Sequence, residues 1–305
     1  MLRQFNAVAI AAALFVVCVS SVCHADGLAK QSQYIDGKLD VSIMLACTGR
    51  ILTIDKDGVE TKAYTQNVGN TGDGMILPNG NILFSDGDSV VELTPDNKEV
   101  MHYCPEDRRN DSVFSAIRLD NGNTLVGWNT LNKIIELDPQ GNVVSSFDCQ
   151  YAEKIGSHHN MRNIRLTPEG TILVAQKNLG VIAEYSRDGK LVQTYRGDKG
   201  TAAFGVCVLK DGTVAGTFLD NVIIFDRTGK EIWRFEKSDA PEIEIAMMCP
   251  IVERKNGNLV IGNYAANRGS FHGAMAFEIT RDKKVVWQYR NPQGPASVQG
   301  ITVIE

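Results

Sequence analysis

The chain has 305 residues, 22% of them charged and 43% hydrophobic, with 28 glycines and a net charge of −5. That composition excludes a disordered chain and a membrane-embedded one. The absence of any Lys/Arg-rich run excludes the basic stripe that phosphate neutralisation requires, so nucleic acid is not an expected partner.

Residues 1–25 read as a secretory signal peptide. Arg3 supplies the positive start, Ala7 to Val19 the apolar run, and Ser20, Ser21 and Ala25 the small-residue exit before Asp26. The apolar run is shorter than the ~20 residues of a spanning helix. Once the peptide is removed, no transmembrane segment is expected. A periplasmic or extracellular address follows, with residues 26–305 as one domain. Five cysteines remain after cleavage, Cys47, Cys104, Cys149, Cys207 and Cys249. An odd number leaves at least one thiol unpaired in a monomer, the expected state. No CxxC pair is present, which argues against a thiolate zinc site.

From Val41 onward the chain repeats itself with a period between 40 and 50 residues, as in 117–147 (IRLDNGNTLVGWNTLNKIIELDPQGNVVSSF) and 164–195 (IRLTPEGTILVAQKNLGVIAEYSRDGKLVQTY). Each unit opens with an inner strand closed by a tight turn: Asn79-Gly80, Asn121-Gly122, Glu169-Gly170, Asp211-Gly212 or Asn256-Gly257. Such pairs supply the positive φ a hairpin needs. A second strand, a third strand, a second polar turn and a fourth strand follow. The fourth strands end in Tyr64, Tyr103, Phe147, Tyr195, Phe235 and Tyr289, with Trp233 and Trp287 two residues before the last pair. Large aromatics at these places fill the wedge between diverging radial sheets. Four short strands per repeat predict a β-propeller. The N-terminal segment from Val41 to Tyr64 supplies three strands and no inner one, whereas 297–305 is an inner strand without partners. Together they make a composite blade, giving an all-β, six-bladed propeller of four-stranded antiparallel blades closed by pairing of its termini.

Residues that break the repeat are the candidates for function. The connections into the inner strands and those between second and third strands emerge on one face, and two of them are long. The first, 149–163, holds His158, His159, Asn160, Arg162 and Asn163. That group suits anion binding or proton transfer near neutral pH. Adjacent residues on an extended chain point to opposite sides, so His158 and His159 are not expected to share one metal. The second, 263–275, offers Arg268 and His272, with Tyr264 and Phe271 as covering aromatics. The predicted ligand-binding set is therefore His158, His159, Asn160, Arg162, Arg268 and His272, with no metal and no cofactor. Charge clusters at 105–112 (Arg108, Arg109) and 237–248 (Asp239, Glu242, Glu244) read as solvated loops. No GxSxG elbow, phosphate loop, HExxH or EF-hand pattern is present.

The phrases LPNGNILFSDG (77–87), LDNGNTLVGW (119–128), KNGNLVIGNY (255–264) and FEITRDKKVVWQY (277–289) resemble bacterial secreted quinoprotein-like propeller repeat proteins, whose members are pyrroloquinoline-quinone-binding-like in fold. DRTGKEIWRF (226–235) is similar to the blade motif of quinoprotein dehydrogenases. It occurs here in one good copy, without their eight blades or vicinal cysteines, so quinone-dependent oxidation is the weakest of the readings. His158-His159-Asn160 followed by LTPEG resembles the inner-strand motif of bacterial arylsulfotransferases, with Asn160 in place of an aspartate. That resemblance implies a nucleophilic His158 or His159, with Arg162 and His272 against the sulfate oxygens. The leading expectation is a binding or interaction module with a polar pocket on one face for a small polar ligand or a protein partner.

Overall fold

A computed structural model describes residues 34–65, 68–105, 113–150, 160–265, 273–291 and 297–305. Each repeat folds into one antiparallel sheet, and six such sheets stand around an axis. In chain order they comprise β1 (Tyr34–Gly37), then β2 (Ser42–Cys47), β3 (Arg50–Ile54) and β4 (Glu60–Tyr64). The next two blades are β5 (Thr71–Ile76), β6 (Ile82–Asp86), β7 (Ser89–Leu93), β8 (Glu99–Tyr103), and β9 (Val113–Arg118), β10 (Thr124–Trp128), β11 (Lys133–Leu137), β12 (Val143–Asp148). Two more are β13 (Ile164–Leu166), β14 (Ile172–Gln176), β15 (Val181–Tyr185), β16 (Leu191–Arg196), and β17 (Ala203–Val208), β18 (Val214–Phe218), β19 (Asn221–Phe225), β20 (Glu231–Glu236). The last elements are β21 (Met248–Glu253), β22 (Leu259–Asn263), β23 (Ala276–Ile279), β24 (Val285–Arg290) and β25 (Val298–Ile304).

The termini close the ring as expected. Strand β25 enters the N-terminal sheet beside β2, pairing Ser42 with Ile304 and Leu45 with Ile301. Glu305 then accepts hydrogen bonds from Arg254 Nε (3.0 Å) and from the Lys255 amide, tying the chain end to the preceding blade. One feature had no counterpart in the repeat. Residues 34–37 form β1, which adds a fifth strand to the outer edge of the last blade, Ile35 opposite Tyr289. The N-terminal segment therefore clasps two neighbouring blades.

The turns explain the glycines. Gly80, Gly122, Gly170, Gly212 and Gly257, which close the first turns, all have φ between 81° and 88°. At the equivalent second turns Asn97 and Lys283 adopt positive φ without glycine, at 66° and 65°.

The fourth-strand aromatics pack as predicted against the next blade. Phe147 meets Tyr185, Tyr195 meets Phe225 and Phe235 meets Phe277, with ring centroids 5.6, 5.7 and 6.4 Å apart. Tyr64 lies with Phe84 and Val91, and Tyr289 with Leu45 and Leu52. Trp233 docks between blades, its Nε1 donating to the Arg281 carbonyl at 2.8 Å. Trp287 instead donates within its own blade, to Glu278.

A second tie between blades comes from glutamates on third strands. Glu92 accepts from Asn81 (2.6 Å) and from Arg118 of the next blade (2.6 Å). Glu136 repeats this with Asn123 and Arg187, and Glu184 with Thr171 and Arg227. These carboxylates are 1–8% exposed. Burial of such a charge is tolerated only with this degree of hydrogen bonding.

Candidate functional site

The inner strands shape the channel. Each carries an irregularity near its start, where two residues oppose one on the second strand. The registers skip Gly72 in β5, Phe114 in β9, Phe204 in β17 and Gln299 in β25. In β21 Cys249 and Pro250 together face the single residue Gly262. Ahead of β13 the Arg162 amide donates to the Ala175 carbonyl, and the Ala175 amide donates to the Asn163 carbonyl, so Arg162 and Asn163 share one partner. A bulge re-aims the side chain it inserts. Six blades thus present Gly72, Phe114, Arg162, Phe204, Cys249 and Gln299 at one level of the channel. Topology places that level on the face where inner strands begin.

Below this ring the channel is bridged. Asp73, 2% exposed, accepts from Ser115 Oγ (2.5 Å), Asn163 Nδ2 (2.9 Å) and Arg165 Nη1 (2.7 Å). One carboxylate thereby joins three inner strands, β5, β9 and β13. Ser115 Oγ also receives the Ile164 amide, and Asn163 Oδ1 the Val206 amide, which extends the network to β17.

At the mouth two cations meet two rings. The Arg162 guanidinium carbon sits 3.9 Å from the centroid of Phe114, on the preceding blade. Lys177, on the 3-10 turn Lys177–Leu179 between β14 and β15, places Nζ 5.7 Å from the centroid of Phe204, on the following blade. Such contacts orient a cation over a ring face. The sequence signals this pair only weakly, since Lys177 lies in an unremarked turn. Burial and the nearby positive charge of Arg162 push the Lys177 ammonium down to about 8. Burial pushes the neighbouring Cys249 thiol up to about 12, against the opposing pull of Arg162. Cys249 is therefore a protonated thiol and a poor nucleophile at neutral pH.

Of the predicted site residues, Arg162 is at the mouth. Asn160, 2% exposed, turns inward: its Nδ2 donates to the Asn129 carbonyl at 3.1 Å, and its own carbonyl accepts the Lys177 amide at 3.0 Å. It ties the connection holding Arg162 to the turn holding Lys177. His158, His159, Arg268 and His272 lie outside the described residues, as do Phe271, Arg108 and Arg109. Tyr264 bridges to Ser297 and donates its amide to Met247. Asp239, assigned to a solvated loop, accepts from Lys283 Nζ at 2.9 Å and from the Glu236 amide. Among the described residues no group of three or more acidic, histidine or cysteine side chains is arranged to hold a metal ion. Among the described residues no disulfide is formed, and Cys47, Cys149, Cys207 and Cys249 are free thiols.

No protein-family model and no curated protein matches the sequence. Solved structures do match its fold. A protein of unknown function from Bacteroides caccae aligns with TM-score 0.76 and 20% identity, covering 87% of this chain and 99% of that one. A streptogramin B lyase aligns with TM-score 0.61 and 17% identity over 88% and 86% of the two chains. Virginiamycin B lyase from Staphylococcus aureus aligns with TM-score 0.58 and 13% identity over 87% and 86%. At these identities the likeness establishes the propeller architecture and nothing finer, because one fold carries many activities.

Proposed function

We propose that this protein is a secreted or periplasmic binding module whose channel mouth receives a small polar ligand. The observation that carries this reading is the pairing of Arg162 with Phe114 and Lys177 with Phe204, directly above the Asp73 bridge. Rings that exclude water beside a few converging polar groups are the makings of a ligand site. Bulges fix Phe114 and Phe204 on rigid strands, and backbone hydrogen bonds hold Arg162 and Lys177 to β14 and to Asn160, so the site is organised before the ligand arrives.

A protein partner at the same face is the other form of this reading. Asn160, placed by sequence among ligand contacts, acts in this account by holding Arg162 and Lys177 in register. His158, His159, Arg268 and His272, which lie outside the described residues, are proposed to complete the mouth.

A second reading has one observation in its favour. Arg162 and Lys177 at the channel mouth would suit the oxygens of a sulfuryl group, as the resemblance to arylsulfotransferases implies. Ligand-observed NMR with a fragment library, run beside a sulfuryl-transfer assay using 4-nitrophenyl sulfate and a phenol acceptor, separates the two. The module reading expects fragments that bind wild type and lose binding in Arg162→Ala, with no turnover. Turnover abolished by His158→Ala or His159→Ala would replace it with the enzyme reading.

A further inference from the structure

The rim of the propeller shows what the outer edge of a blade can hold. Strand β1 pairs antiparallel with the outer edge of β24, Gly37 opposite Trp287, Asp36 opposite Gln288, Ile35 opposite Tyr289 and Tyr34 opposite Arg290. The chain beyond it covers the start of β24: the Lys38 amide donates to the Val286 carbonyl at 3.4 Å, and Val286 packs in the cluster that contains Leu39. Among the described residues no other blade carries a fifth strand.

An open edge offers unpaired backbone donors and acceptors to another strand, and charged side chains ordinarily guard it. Strand β4 carries Glu60 and Lys62, β8 carries Glu99 with His102, and β20 carries Glu231, Arg234 and Glu236. Strand β16 ends in Arg196, and its Gln193 side chain donates to the Arg227 carbonyl of the next blade. Strand β12 has no such guard. It reads Val-Val-Ser-Ser-Phe-Asp, with Val143, Val144, Ser145 and Ser146 all exposed. Its one charge, Asp148, pairs with Lys133 of the same blade at 3.3 Å. Aligning the closing aromatics Phe147 and Tyr289 puts Ser145–Asp148 in the places of Trp287–Arg290, the stretch that β1 covers. Val144 takes the place of Val286 and is exposed instead.

We propose that β12 is an interface between two copies of this chain, its outer edge pairing antiparallel with the same edge of the second copy and joining two four-stranded sheets into one. A two-fold axis normal to the sheet keeps every side chain on its own face, so the central pair is one residue and its counterpart. With Ser146 at the axis, Ser145 falls opposite Phe147 of the second copy and Val144 opposite Asp148 of the second copy, and no like charges meet. The edge therefore matches itself. Each copy uses the same edge, so assembly closes at two instead of growing into a filament. A contact made by one strand from each side lies at the small end of specific interfaces, below ~1,200 Å², so the dimer forms in a concentration-dependent way.

Sedimentation velocity of the full chain from about 1 μM to about 1 mM tests this. The expected result is a mass that rises from one chain to two and no further. Ser146→Lys and Ser146→Asp each set like charges against each other at the axis and should weaken the dimer about tenfold or more. Ser146 is exposed, so circular dichroism and Tm of the dilute variants should match wild type. An equimolar mixture of the two variants should restore the dimer, which neither misfolding nor a contact elsewhere on the surface would produce. A single-chain mass throughout, growth past two chains, a dimer indifferent to both charges, or a mixture that stays monomeric overturns the inference. Neither variant alters the channel mouth, so the fragment experiment judges the binding-module reading separately.

Discussion

Replacing Asp73 by alanine removes the acceptor that joins β5, β9 and β13 and strands the Arg165 guanidinium inside the channel. Breaking a buried ion pair by deleting one partner costs about 3–5 kcal/mol. Asp73 is 2% exposed at its side chain but Arg165 is 25% exposed, so part of the arginine's charge stays solvated. The lower end, about 3 kcal/mol, is therefore expected. Ser115 Oγ and Asn163 Nδ2 lose the same acceptor, but the Ser115 hydroxyl still accepts the Ile164 amide and the Asn163 side chain is still held through Oδ1 by the Val206 amide. With an unfolding entropy of about 2.1 cal/mol/K per residue, that corresponds to a fall of about 5 °C in Tm for a domain of this size. Urea denaturation followed by tryptophan fluorescence and circular dichroism measures it. The double variant Asp73→Leu/Arg165→Met, which removes both charges, is expected to recover at least half the loss, because no uncompensated charge remains. A loss below about 1 kcal/mol in Asp73→Ala, or no recovery in the double variant, would refute the reasoning.

Other outcomes follow from the same coordinates. Deleting residues 298–305 removes β25, the inner strand of the composite blade, and exposes the edge of β2; loss of cooperative unfolding and concentration-dependent aggregation by light scattering are expected. Burial would raise the Glu184 carboxyl, yet hydrogen bonds from Thr171, Tyr195 and Arg227 outweigh it and hold the group below its ordinary 4.5. Its stabilisation is thus present above that value and is lost as pH falls through the lower folded value. Arg227→Ala should shift the acid unfolding midpoint to higher pH. For Lys177 the sign is reversed. Its folded value of about 8 lies below the ordinary 10.5, so the unfolded chain binds more protons between them and stability rises with pH across that window. Lys177→Met should be more stable than wild type at neutral pH, and the difference should close as pH climbs through the same window in urea titrations. Phe235→Ala empties the wedge against Phe277 and should cost about 3–5 kcal/mol, read by the same method.

The blades were legible because a propeller solves the same packing problem six times. Turn glycines and fourth-strand aromatics meet the same neighbour in each copy, so the period declares them. The composite blade was legible for a related reason: 297–305 lacked partners and Val41–Tyr64 lacked an inner strand. Strand β1 was not, because its four residues, Tyr34–Gly37, pair at an outer edge that the other blades leave open and so have no repeated counterpart. Third-strand glutamates did repeat, at Glu92, Glu136, Glu184 and Glu278. Their arginine partners Arg118, Arg187 and Arg227 come from the following blade, which a reading within one repeat does not join. Around the channel the difficulty was greater. Bulge residues vary from glycine to phenylalanine to arginine, and only alignment of the inner strands by register brings Phe114, Arg162 and Phe204 to one level. Histidine density drew attention to 158–163 and with it to Arg162. Lys177 carried no such signal, since an exposed-looking Lys-Asn turn is ordinary until the channel places it beside an arginine.

A crystal structure of the protein grown with a fragment that binds it in solution tests the central claim most directly. The account predicts the fragment at the channel mouth, against Phe114 and Phe204, with the Asp73–Arg165 pair intact beneath it. A fragment seated instead in the depression between Leu166, Pro168, Val208 and Lys210, with the mouth empty, would contradict it.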